Sequence, residues 1–167
     1  MPTKSEKEAL RRLPKEIQRV IDKTRALRKE VAAIGRQSIK EMFVGLFKEF
    51  PQVEAVRWTQ YTPHFNDGEP CVFNVYEPDV RFTKGTCLAK KHESNEQYPK
   101  EDNYTEGEEF YALWSFRKQQ ADVYEAVNTL YKTFQEIEDV LMTIFGDGVQ
   151  VVVSKDGTVE AEDYDHD

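Results

Sequence analysis

An α+β fold is expected for these 167 residues. It has two long helices, at about 14–50 and 117–145, with coiled-coil-like seams, packed on a small antiparallel sheet of four or five strands. Three features lead there. Apolar residues recur at heptad spacing in two separate stretches. Short runs rich in Val, Tyr, Phe and Thr lie between and after them, bounded by Gly, Pro, Asn and Asp. At the end, VQVVVS and TVEAEDY flank Lys155-Asp156-Gly157, a hairpin pattern.

The first helical stretch opens with an S-x-x-E capping box, Ser5 and Glu8. Leu10, Leu13, Ile17, Val20, Leu27, Val31 and Ile34 follow at steps of 3, 4, 3, 7, 4 and 3, with polar Thr24 in the gap. Pro14 interrupts the seam, and a proline inside a helix costs about 3 kcal/mol. The pattern therefore divides into a short helix at 5–12 and a long one starting near Pro14, where proline suits the first turn. The long helix ends before Pro51. At 1.5 Å per residue it would be roughly 54 Å long, more than a domain of this size spans, so part of it projects. Its second half carries a wider, ring-rich stripe of Met42, Phe43, Leu46, Phe47 and Phe50 that should face the core. Residues 1–36 are read as a basic helical or coiled-coil arm, and 37–167 as a single α+β body.

In the second helix Val123, Val127, Leu130, Phe134, Ile137, Leu141 and Ile144 step by 4, 3, 4, 3, 4 and 3, and Gly146 and Gly148 end it. Residues 53–61 (VEAVRWTQY) and 71–76 (CVFNVY) read as strands, with a third at Val80–Thr83. EFYALWS, 109–115, fits a strand or the entry to the second helix. In the last hairpin, a three-residue loop pairs Val153 with Val159 and Val151 with Ala161, with Gly157 left-handed. The polar stretch 85–108 is too long for a plain connector, so it is disordered or functional.

Charge limits the functions available. Residues 1–50 hold 13 Lys and Arg against 7 Asp and Glu, while 51–167 hold 10 against 24. A body with net charge −14 disfavours nucleic acid as its partner, although the arm's cations could touch phosphates. There is no run of 18 apolar residues, so no membrane partner is expected, and MPTKSEKEALRR lacks the apolar core of a secretory signal. A cytoplasmic setting follows, with Cys71 and Cys87 as free thiols. Neither GxxxxGK[ST] nor GxGxxG occurs.

Two clusters hold chemistry. In WTQYTPHFNDGEPC, 58–71, the turn residues suit a hairpin loop, but Trp58, Tyr61, His64, Asn66, Asp67, Glu69 and Cys71 also gather as a candidate binding site. The tail EAEDYDHD, if it stays extended, sets Asp163, Asp165 and Asp167 on one side and Tyr164 and His166 on the other. Carboxylate oxygens suit a hard divalent cation, so Asp67, Glu69, Asp163, Asp165 and His166 form a candidate metal set. No cofactor is expected; a divalent metal is the one that these groups would allow.

W-T-Q-Y-T-P-x-F-N-D-G-E-P-C at 58–71, FGDGVQVVVSKDG at 145–157 and E-D-Y-D-H-D at 162–167 together resemble an uncharacterised family of bacteriophage and bacterial proteins. The resemblance implies a small accessory protein, phage-encoded and acting in a bacterial host, and brings no activity. The leading expectation is a non-enzymatic protein-interaction module or inhibitor that meets a host protein, or a second copy in a homodimer, through the helical arm. The alternatives are a metal-dependent enzyme or small-ligand binder using the 64–71 loop and the 163–167 tail, and an acidic DNA mimic.

Overall fold

The computed structural model describes residues 3, 4, 7, 8, 15–65, 67–90 and 101–165. Most of the short helix expected at 5–12, along with Asn66 and His166, lies outside them. Helix α1 runs unbroken over Lys15–Glu49, within one residue of the range set by Pro14 and Pro51. Only its second half is covered: Ile39, Phe43 and Phe47 are buried, at helical spacing. The first half lies in water.

Strand β1 (Val53–Tyr61) is the centre of the sheet. On one side it pairs with β3 (Asp79–Phe82) and, at its far end, with the two-residue β2 (Asn74–Val75). On the other side it pairs with β7 (Val149–Ser154), which pairs with β8 (Val159–Asp163). Strand β6 (Phe110–Ala112) edges β3 and completes a six-stranded antiparallel sheet. The last hairpin has the expected register, with Val153 opposite Val159, Val151 opposite Ala161 and Gly157 at φ +90°. Its turn is fixed by Asp156, whose carboxylate accepts the Thr158 N–H at 2.9 Å; hydrogen bonding from the Thr158 side chain first, and from this N–H second, holds the carboxyl below the usual range.

The sheet is larger than the four or five strands expected, and the second helix is not continuous. Residues 109–115 are both strand and helix entry: β6 passes directly into α2 (Leu113–Phe116). Two helices follow, α3 (Ala121–Glu136) and α4 (Glu138–Phe145), where one was expected over 117–145. The break is at Ile137, at φ −119° and ψ 29°. It lets Glu138, in the first turn of α4, accept a hydrogen bond from the Val75 N–H of β2 at 3.0 Å. Part of the polar stretch 85–108 is also ordered. Strands β4 (Cys87–Ala89) and β5 (Asn103–Tyr104) pair as a separate ribbon. Gln120 ties that ribbon to the body by donating to the Cys87 carbonyl at 3.1 Å.

All the long helices pack on one face of the sheet, and the core lies between. Alternation along β1 sends Val56, Trp58 and Gln60 inward. Trp58 is 1% exposed and stacks on Phe43 of α1, with ring centroids 6.0 Å apart and planes at 3°. It also packs on Phe134 of α3 at 4.8 Å and meets Phe145 of α4 edge-on at 5.8 Å. Gln60 is fully buried beside it. Its Nε2 donates to the carbonyls of Leu141 (3.1 Å) and Gly146 (2.7 Å), and its Oε1 accepts the Trp58 Nε1–H at 3.2 Å. The Gly146 carbonyl, at the C-cap of α4, has no partner within the helix, and here a side chain from the sheet takes that role.

Candidate functional site

Among the described residues, two surfaces are left uncovered: the face of the sheet away from the helices, and the first half of α1. The open sheet face is built by the other half of the strand alternation. Arg57, Thr59 and Tyr61 of β1 face it, with Asp79 and Arg81 of β3 and Gln150 and Val152 of β7. Register sets the contacts. Arg57 is opposite Asp79, and its Nη2 meets the Asp79 carboxylate at 2.7 Å. The same guanidinium lies 4.3 Å from the centroid of the Phe110 ring, and that of Arg81 5.2 Å from it. A shallow cavity of about 250 Å³ opens here, lined by Arg57, Thr59, Glu77, Asp79, Gln150 and Tyr164.

Three tyrosines close one end of this face. Tyr61 stacks on Tyr76 at 4.2 Å and packs against Tyr164 at 5.6 Å. Burial, followed by the hydrogen bond and charge of Tyr61, pushes the Tyr76 hydroxyl up to about 12. The neutral phenol is thus favoured in the fold. The unfolded chain loses this proton near pH 10, so it binds fewer protons than the native state between pH 10 and about 12. Stability should fall across that window, and the fall should be shallower in Tyr76→Phe. Urea midpoints at stepped pH, with phenolate absorbance titrations of both proteins, measure this.

Among the described residues, those singled out in the sequence are spread over several parts of the fold. Trp58 is a core residue, on the opposite side of β1 from the open face. Tyr61 joins the tyrosine cluster. His64, Asp67, Glu69 and Cys71 are exposed along the connection from β1 to β2. The start of that connection is tied down: Thr62 donates to the Asp147 carboxylate from its N–H and its hydroxyl, each at 2.7 Å. Topology then separates the candidate metal ligands. The connection carrying Asp67 and Glu69 returns to β2 on the β3 side of β1, whereas Asp163 ends β8, two strands away on the other side, and Asp165 follows just past the strand. Among the described residues no three His, Cys, Asp or Glu side chains form a group that could hold a metal ion. The Arg57–Asp79–Phe110 arrangement was missed, because its members are brought together only by the β1–β3–β6 register. The alternation in VEAVRWTQY could have placed Arg57, Thr59 and Tyr61 on one face.

The arm is the second surface. Ile17, Val20, Leu27, Val31 and Ile34, the expected seam, are all exposed, Val20 at 63% and Ile34 at 61%. Aliphatic side chains in a continuous helical stripe lose roughly 25 cal/mol per Å² of favourable burial while they stay in water. The stripe ends where the body begins. A Cβ on Gly35 would collide with the Ile144 side chain, so α4 approaches α1 closely here. Two residues past Ile34, and so on the other side of the helix from the seam, Arg36 reaches over the Phe145 ring, 5.5 Å from its centroid.

Among the described residues no helix is long and apolar enough to cross a membrane. Comparison with protein families, curated proteins and solved structures finds no match to this chain.

Proposed function

We propose that this chain is a non-enzymatic protein-interaction module: a rigid α+β body that presents a basic helical arm to a protein partner. The exposed seam from Ile17 to Ile34 carries the reading. Five large aliphatics at coil spacing on a projecting helix are what a helical partner buries. The candidate metal-ligating residues lend less support to an enzyme, since among the described residues no three His, Cys, Asp or Glu side chains gather to hold an ion. The motif resemblance adds a bacterial host protein as the partner to be inhibited, with a second copy as the other partner class.

The test keeps the full chain. Val20→Asp with Leu27→Asp puts two charges into the seam without touching the buried residues of the body. Thermal unfolding of the body should be unchanged. Complexes formed by the chain, with itself or with host protein, should be lost. Undiminished complex formation by the double variant would end this reading.

A further inference from the structure

We propose that the arm pairs with the arm of a second copy of this chain, antiparallel, about a twofold axis between Thr24 and Leu27. This rests on the reading above that the arm is the contact surface, and it names the partner. The seam repeats as a heptad, with Ile17, Thr24 and Val31 at the first apolar position and Val20, Leu27 and Ile34 at the second. In an antiparallel pair a first-position residue faces a second-position one. One register satisfies every position. Ile17 meets the partner's Ile34, Val20 the partner's Val31, and Thr24 the partner's Leu27. The twofold axis repeats each contact, so the interface closes on two chains.

Flanking charge chooses the direction. Positions beside the seam set orientation in helical pairs. In the antiparallel register Lys23 lies beside the partner's Glu30, an attractive pair formed twice. Ile21 lies beside the partner's Arg28, whose aliphatic stem covers it. A parallel pair would set Lys23 beside the partner's Arg28, a repulsive pair formed twice. Arg19, Arg25 and Lys29 fall at positions facing water in either case. The body leaves room for a second helix. By helical geometry the seam points about 130° away from the stripe of Ile39, Phe43 and Phe47 that seats α1 on the core.

Sedimentation equilibrium of the full chain tests the pairing. The native chain should approach twice its 19.5 kDa mass as concentration rises. Lys23→Glu and Glu30→Lys should each weaken the dimer by about tenfold, since each variant replaces two attractive pairs with two repulsive ones. Mixing the two variants in equal amounts should restore association, because each mixed pair is attractive at both sites. Both residues are exposed, and unchanged helical circular dichroism would show that the variants fold. A native chain that stays monomeric overturns the proposal, as does a dimer that Lys23→Glu tightens, which is the parallel outcome. In either case loss of a host complex in the seam double variant would still uphold the interaction module. A dimer that survives the seam double variant would sink both.

Discussion

Trp58→Ala is expected to cost about 3–5 kcal/mol of stability, in the range for removing a large buried aromatic. The indole meets Phe43, Phe134 and Phe145, so it joins α1, α3 and α4 to the middle strand of the sheet. A cavity left there has no loop to collapse into it, because sheet and helices wall it on both sides. A domain of ordinary stability has about 5–15 kcal/mol in total, so the variant should retain at best a fraction of it. Urea titration followed by far-ultraviolet circular dichroism measures the effect. Trp58→Phe keeps most of the apolar volume and should cost clearly less. A shift within error for Trp58→Ala would mean that the core is not organised around this ring.

The second large effect is expected at Gln60. Its replacement by leucine keeps the side chain's size and apolar fit but removes three hydrogen bonds. The Gly146 carbonyl and the Trp58 Nε1–H are left without those partners, and each buried polar group so orphaned costs about 1–3 kcal/mol. The loss should therefore approach that of Trp58→Ala, although more apolar surface is buried. Gln60→Glu gives a check with a defined sign. A buried carboxylate opposite two carbonyls has its pKa raised, so its neutral form is favoured in the fold. Protonated, it can still donate to one carbonyl. The stability of this variant relative to the native chain should be highest at low pH and should fall as pH rises through the raised pKa. A pH-independent deficit would rule out the hydrogen-bonding role.

Much of this architecture is legible in the residues. Pro14 and Pro51 bracket α1 because proline suits a first turn and disfavours a helical residue before it. The register of the last hairpin follows from putting Val151 and Val153 on one face and Glu160 and Glu162 on the other. The break at Ile137 is different. Phe134, Ile137 and Leu141 keep steps of 3 and 4 across it, and Gly and Pro are absent there, so apolar spacing runs straight through. What bends the chain is packing: α4 turns so that Leu141 and Phe145 meet the core and Glu138 meets β2. The strand β6 is short and on an edge, so three residues carry little pattern of their own. Trp58 stood out in the sequence as a ligand for a site, when its place in the alternation of β1 makes it core. The gathering of His64, Asp67 and Glu69 with Asp163 depended on two segments meeting across the sheet, and chain order alone does not fix strand order.

The uninterrupted helix α1 has a mechanical consequence. Between Lys15 and Glu49 it is one uninterrupted helix that Ile144 approaches closely at Gly35, so a partner held at its outer end should tilt it about that point. A load on the outer end is delivered to Phe43, the ring stacked on Trp58. The only other tryptophan, Trp114, is 73% exposed, so the buried indole should supply the blue-shifted part of the emission. Occupancy at the far tip of the rod can thus be read optically from the centre of the molecule, without attaching a dye.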